Sequence, residues 1–405
     1  MPAAGRRHQP ILVPVNATSP RQRASHKRKC FHVNIPVKPP REVIIIGAGP
    51  AGIATAIAAN QKGLRATVFD ARTPPIDKPC GEGLLPQGVA ALRSLGIQLT
   101  SSLAVPFAGI RFASVESSAY AKFPDATGFA LRRVRLHQLL VERAIATGVV
   151  FHWGTRVTKI DHRHVTAGAT QFPYSWLVGA DGQTSFVRTW AKLGPVRTSG
   201  KRFGFRQHFR VQSWTDFVDV YWGEHCQMLA TPTAANEVCV SVLSRNASRR
   251  IRQSLPLFPE LAARLRDATP VTRELGNATS LNRVASIVRG RVALVGDASG
   301  SVDAITGHGL SLAFQQAITL AEAFEREDLG YYESAHRKLE VVPALMSRLM
   351  LLMDKNAWVR RKALRLFENM PDLFSRLLSV HTGAVPLSSL GGGEMIDIAC
   401  KLLRT

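Results

Sequence analysis

Acidic residues are scarce in this sequence: 29 Asp and Glu stand against 52 Lys and Arg in 405 residues, a formal charge of +23. The shortage is complete at the start, where nine basic residues (Arg6, Arg7, Arg21, Arg23, Lys27, Arg28, Lys29, Lys38, Arg41) precede the first acid, Glu42. Such an excess attracts anions: phosphorylated cofactors, acidic lipid surfaces or, without selectivity, nucleic acid. Specific nucleic-acid binding is not expected, because helix-turn-helix, zinc and RNP patterns are all missing. The five cysteines (Cys30, Cys80, Cys226, Cys239, Cys400) are odd in number and lack C-x-x-C spacing. That argues against a disulfide scaffold or a zinc centre and fits a reducing cytoplasm. The twelve histidines form no ligand set, so no metal is expected; His162 and His164 flank Arg163 on an expected solvent-facing hairpin. No apolar run approaches the roughly 18 residues of a membrane span. Residues 1–41, rich in Pro, Arg and Ser, lack a clear amphipathic helix. They read as a disordered basic tail, or as translation from a start codon set too far upstream, in preference to a transit peptide. Internal repeats are absent, and the short Gly391–Gly393 cluster reads as a turn.

What remains is a globular composition, 45% hydrophobic and long enough for two joined domains. Its clearest feature is "VIIIGAGPAGIATAIAANQKGLRATVFDAR", an apolar strand, three spaced glycines, an Ala-rich helix and an acid. In Gly47-Ala48-Gly49-Pro50-Ala51-Gly52 the first glycine allows a tight turn, the second lets backbone approach a pyrophosphate, and the third lets helix and strand pack closely. A helix from about Pro50 to Lys62, capped by Gly63, would aim its positive end at that phosphate. Asp70 closes the next strand, placed to accept hydrogen bonds from ribose hydroxyls. Alone, this fingerprint leaves NAD and FAD both open.

Further along, "RLHQLLVERAIATG" (Arg135–Gly148) reads as a helix, and residues 201–244 as a β-rich stretch. Within it "NEVCVSVLS" alternates, with Val238, Val240 and Val242 on one face of a half-buried antiparallel strand. Residues 310–370 read as helical. There Leu345, Leu349 and Leu352 make an apolar face, with Arg360, Arg361, Lys362 and Arg365 on later turns. Packing against the core is the first expectation for this face, and contact with a membrane surface is its alternative.

Two downstream segments, "WLVGADGQTSFVR" and "VALVGDASGSVDAITGHGLSLAFQQA", resemble the D-G and G-D motifs of flavoproteins with the para-hydroxybenzoate hydroxylase fold. That superfamily includes class A aromatic hydroxylases, geranylgeranyl reductases and flavin-dependent halogenases. The resemblance covers roughly residues 42–326 and implies FAD. It assigns Asp297 to the ribityl chain, with Gly296 allowing close approach. It places the N–H groups of Thr306, Gly307 and Gly309, and the helix that follows, by the pyrophosphate and the flavin's pyrimidine edge. Arg133 matches the FAD-contacting arginine. Asp181 and Gly182 match the pair that couples FAD to transient NADH or NADPH docking, and no second glycine fingerprint is present.

The segment "DKPCGEGLLPQGVAAL" is similar to the K-P-C-G loop of geranylgeranyl reductases, which makes Cys80 and Glu82 the catalytic candidates, as proton source or substrate guide. Lys78 beside Cys80 could lower its thiol pKa. The sequence also departs from the patterns it resembles. Ala304 stands in place of a loop proline, His308 in place of a frequent acid, and Asp70 where Glu is usual. The reductases' aromatic signature is reduced to Pro232 in Gln227–Pro232, and the halogenase signature is not evident.

The resemblance therefore implies an α/β protein with a Rossmann-like FAD-binding domain (42–100, 131–200, 286–330), an antiparallel β-sheet substrate domain (101–130, 201–285) and C-terminal helices (331–405). The expected activity is an NAD(P)H-dependent monooxygenase acting with molecular oxygen on an aromatic, polyketide-like or other lipophilic small molecule. A double-bond reductase of prenyl lipids is the alternative, and a flavin-binding scaffold without turnover a third. The expected location is cytoplasmic, with peripheral membrane contact through the basic helices.

Overall fold

The structure, a computed structural model, describes residues 41–391. The basic extension before Arg41 and the segment after Gly391 lie outside the described residues. The run Glu42–Ile46 forms the centre of a six-stranded sheet, flanked by Arg65–Phe69 and Trp176–Gly179 in parallel register. Val150–His152 extends it on one side, and Val292–Leu294 with the antiparallel edge strand Val288–Arg289 on the other. A strand covered on both faces needs a continuous apolar run, and Val43 through Ile45 are at most 2% exposed. The helices Pro50–Gln61 and Gly309–Arg326 lie in that cover, with Ile53, Ile57, Phe314 and Phe324 fully buried. Each such side chain contributes about 1.5–3 kcal/mol of burial free energy.

The second layer is a nine-stranded sheet whose backbone is the long strand Val196–Arg210. It pairs antiparallel with Glu237–Ser244 and with Leu275–Val284, and Cys226–Ala234, Phe217–Trp222, Gly109–Ala113 and Ser118–Lys122 continue the sheet outward. Residues 196–200, grouped with the first domain from sequence, already belong to this strand.

Glu237–Ser244 is buried on both faces, where sequence alternation suggested one. Val238, Val240 and Val242 pack on Ile251, Phe258 and Leu261, while Cys239, Ser241 and Leu243 face the other way and are also covered. The strand is central, so polar alternation here marks a second buried environment and not solvent.

A small three-stranded sheet (Gly83–Leu84, Gly128–Ala130, Val105–Phe107) lies at the chain crossings between the two large sheets. Four helices, Gly309–Arg326, Leu329–Lys355, Ala357–Asn369 and Pro371–His381, follow, with a short helical turn at Leu387–Ser389 after them. Here one expectation is corrected. The Leu345, Leu349, Leu352 face does not form the core contact: Leu349 is 44% and Leu352 48% exposed, and the inward residues are Met346 and Met353. Both faces of this helix are apolar, so periodicity could not tell which would turn inward. Among the described residues, no helix is long and apolar enough to cross a membrane.

Candidate active site

The turn after the first strand carries Gly47 at φ +109°, where an added Cβ would stand 2.4 Å from the Ala180 carbonyl oxygen. Gly52 is closer still, since its Cβ would meet the Gly47 oxygen at 1.9 Å. Both glycines are therefore demanded by packing of the turn itself. Gly49 differs: its backbone is extended (φ −73°, ψ 174°), and a Cβ there would meet nothing within 4 Å. It borders a cavity of about 1180 Å³ that runs between the two large sheets.

That cavity gathers the residues singled out from sequence. Gly47, Gly49, Ala51, Asp70, Cys80, Glu82, Arg133, Asp181, Gly182, Gly296, Asp297, Thr306, Gly307 and Gly309 all line it; Gly52 alone is set back, against the turn. Asp70 and Asp297 thus border one continuous trench. Asp70 organises the glycine turn, accepting the Ala48 N–H at 2.9 Å and the Arg72 N–H at 2.8 Å. Asp297 receives the Lys78 ammonium at 2.8 Å, which ties the Cys80 loop across the trench. Lys78, expected beside the thiol, is committed to that carboxylate. Asp181 receives the Ser185 hydroxyl at 2.5 Å and the Phe186 N–H at 2.7 Å, which fixes the Gly182 turn.

In the loop before the Gly309 helix, the Thr306 and Gly307 N–H groups are occupied by the Asp303 and Ala304 carbonyls, at 3.1 Å each. The donors left for a ligand are those of the helix's first turn, beginning at Gly309, whose N–H groups have no intrahelical acceptor. The loop is anchored by groups that sequence reasoning missed. Arg202, 1% exposed, reaches Asp303 at 3.0 Å and also donates to Gln227, whose amide donates to Asp354 at 2.7 Å. His308 donates to the His381 carbonyl at 2.8 Å, and His381 donates back to the Thr306 carbonyl at 3.0 Å. Burial drives both imidazoles toward the neutral form, His308 down to about 4 and His381 well below its usual value.

Glu82 sits at φ +61° with its side chain fully enclosed. Its carboxylate accepts the Arg133 N–H at 3.0 Å and faces His208 Nε2 at 2.6 Å, with Arg206 Nη2 at 3.6 Å. His208 Nδ1 lies 3.1 Å from the Thr272 hydroxyl, and Arg206 pairs with Asp77 at 2.6 Å. The Cys80 sulfur accepts the Glu82 N–H at 3.4 Å.

Glu82, His208 and Cys239 bring their ligand atoms within 4.8 Å of one another, a grouping not foreseen among the histidines. A fixed guanidinium already compensates the carboxylate, and burial raises the Cys239 thiol well above its ordinary pKa, so the sulfur stays protonated. The cluster therefore offers a cation no thiolate. A signal for it existed: in "KRFGFRQHFR", Arg202, Arg206 and His208 repeat with period two against Phe203, Phe205 and Phe209.

Two features fit a dinucleotide in the trench. Gly49 leaves a cradle that any side chain would fill, and Arg133, which lines the trench, has a buried Nε without a partner. A glycine turn at the end of a parallel strand, an acid just after the next strand and an aspartate at the far wall form a trench suited to a dinucleotide. Residues 41–327 match the family described as FAD binding domain, and the chain belongs to that family.

It is similar to menaquinone reductase of Mycobacterium tuberculosis (26% identity over 71% of this chain and 78% of that protein). It is also similar to kynurenine 3-monooxygenase of Xanthomonas oryzae pv. oryzae (24% identity over 74% and 76%). Among solved structures, a flavoprotein/dehydrogenase from Cytophaga hutchinsonii superposes with TM-score 0.72 at 15% identity, covering 85% of this chain and 93% of that one. 2-Methyl-3-hydroxypyridine-5-carboxylic acid oxygenase gives 0.68 at 20%, covering 85% and 96%. The protein is an FAD-dependent oxidoreductase of the para-hydroxybenzoate hydroxylase fold.

Proposed function

We propose that the protein is an NAD(P)H-dependent flavin monooxygenase acting on an aromatic or otherwise lipophilic small molecule. The carrying observation is the character of the cavity beyond the cofactor trench. Phe112, Val220, Leu229, Leu243, Met353 and Phe374 form its walls, under the nine-stranded sheet and against the C-terminal helices. Such a chamber favours an apolar guest by removing its surface from water. Resemblance to kynurenine 3-monooxygenase and to an oxygenase structure supports the oxygen chemistry.

Bound FAD would supply the electron chemistry that links oxidation of NAD(P)H to dioxygen or to the substrate. The Gly49 turn and the Gly309 helix start would hold its phosphates, and Arg133 and Asp297 would orient it. The apolar wall excludes water and positions the substrate. Glu82 lines the cavity with its carboxylate against His208, placed to pass a proton to or from a bound substrate. Free thiols at Cys80, Cys226 and Cys239 fit a cytoplasmic setting.

A second reading has its own support. The Cys80-Gly81-Glu82-Gly83 loop, similar to that of geranylgeranyl reductases, favours reduction of a carbon–carbon double bond in a prenyl chain with Glu82 as the proton donor, and the likeness to menaquinone reductase fits a reductase. Oxygen uptake coupled to NADPH oxidation, measured against a panel of phenols and prenyl lipids, separates the two. Substrate-stimulated oxygen consumption supports the monooxygenase. Anaerobic reoxidation of the reduced flavin by an alkene, with no stimulated oxygen uptake, overturns it in favour of the reductase.

A further inference from the structure

We propose that the outward face of the helices Leu329–Lys355 and Ala357–Asn369 docks on an anionic lipid bilayer and sets the mouth of the substrate chamber at the lipid surface. The use of that mouth rests on the lipophilic substrate proposed above; the docking does not. Val341, Leu345, Arg348, Leu349, Leu352 and Lys355 follow helical spacing, so they form one stripe along the first helix. Val341 is 53%, Leu349 44% and Leu352 48% exposed, and Trp358 at the start of the next helix is 45% exposed. Of the ten large apolar side chains exposed among the described residues, these four fall within eighteen positions. An apolar stripe of this size left in water is the mark of an interaction surface.

Charge identifies the partner. Residues 341–367 carry six basic side chains and a single acid, Asp354. That acid is buried and held by Gln227 and Arg245. Arg360 is turned inward onto the Met353 carbonyl, and Arg365 pairs with Glu116 at 3.2 Å. Arg348, Lys355, Arg361 and Lys362 remain beside the apolar stripe. Basic heads interleaved with leucines and a tryptophan suit a surface of negative headgroups over hydrocarbon. A second copy of the same basic face would be repelled, and a polynucleotide would leave the leucines and valine exposed. The stripe is also continuous with the chamber, since Leu349 is both exposed and part of the cavity lining, next to Met350.

The test uses the full FAD-loaded protein with vesicles of phosphatidylcholine alone or phosphatidylcholine with one quarter phosphatidylglycerol. The expected result is co-sedimentation with the anionic vesicles at least tenfold stronger than with the neutral ones, weakened by salt. Both Leu352→Asp/Trp358→Asp and Arg348→Glu/Arg361→Glu should lower binding at least tenfold while keeping the flavin spectrum and far-ultraviolet circular dichroism. Brominated lipid should quench tryptophan emission, and Trp358→Phe should remove that quenching. The proposal is overturned if the wild type stays in the supernatant with both vesicles. It is equally overturned if only the charge substitutions matter, which would mark a polyanion site. Vesicle binding needs no turnover, so failure of the monooxygenase reading would leave this result untouched.

Discussion

His208 Nε2 stands 2.6 Å from Glu82 Oε2, both side chains buried, with Glu82 in the lining of the main cavity. The carboxylate is held between an imidazole, a guanidinium and the Arg133 N–H, and the imidazole's other nitrogen meets the Thr272 hydroxyl. Thr272 lines a second cavity of about 520 Å³, so a hydrogen-bonded line leads from Glu82 outward. Glu82→Gln keeps the oxygen that accepts the Arg133 N–H but cannot exchange a proton. It is expected to retain FAD and to lose turnover by about 10²–10⁴-fold. His208→Gln, acting through Glu82, should lower the rate by a smaller factor. Steady-state rates across pH 5.5–8.5 check this, and unchanged rates in Glu82→Gln refute it.

Gly49 separates folding from cofactor binding more cleanly than its neighbours. Its extended backbone suits any residue and a Cβ meets nothing within 4 Å, so Gly49→Val should fold. The valine would occupy the cradle where the phosphate must approach backbone, and FAD affinity should fall on the order of a hundredfold, ~2.7 kcal/mol. Fluorescence titration of the apoprotein with FAD measures it. Gly47→Val, by contrast, should prevent folding, because φ +109° and a carbonyl at 2.4 Å forbid the side chain.

These two glycines show how the sequence could and could not be read. The turn, its strand, its helix and Asp70 are local, and their spacing is fixed by one strand–helix crossing, so they were legible. The central β-stretch was legible as strands, but the burial of both faces was not, because Cys239 and Ser241 face a second interior. The partners of Glu82 were missed for a related reason. His208 lies 126 residues away, and pairing over that distance is set by sheet register, His208 opposite Cys239. The outward Leu349, Leu352 face failed for want of contrast, since the inward face of its helix is equally apolar.

The His308–His381 pair makes the loop before the Gly309 helix acid-sensitive. Burial holds the folded His308 at about 4, below its usual 6.5, and His381 moves in the same direction. The unfolded chain therefore binds more protons than the folded one between those values, and stability is lost as pH falls from about 6.5 toward 4. For His308 the loss is on the order of 3 kcal/mol. Glu340, raised to about 7 by burial, works in the opposite sense, costing stability as pH rises from about 4.5 to 7. Urea midpoints between pH 4.5 and 7 should drop toward acid in the wild type and drop less in His308→Asn, whose amide does not titrate. Identical slopes would remove the pair from the account.

Arg202 offers the sharpest test of how the loop before the Gly309 helix is held. Its guanidinium is enclosed with Asp303, whose Oδ1 also accepts the Ile305 N–H at 3.1 Å, so one carboxylate both caps the loop and ends the buried ion pair. Arg202→Met leaves that charge unpaired in the interior, and breaking a buried pair from one side costs about 3–5 kcal/mol. The double variant Arg202→Met/Asp303→Asn removes both charges while the Asn oxygen still accepts the Ile305 N–H. It should recover most of the stability, because the penalty lies in the orphaned carboxylate and not in a lost attraction. FAD binding should follow the same order: wild type, then the double variant, then Arg202→Met. Urea unfolding of the three proteins, each with and without FAD, checks it. A double variant no more stable than Arg202→Met would show that the arginine itself, through Gln227 and the Leu329–Lys355 helix beyond it, carries the loop.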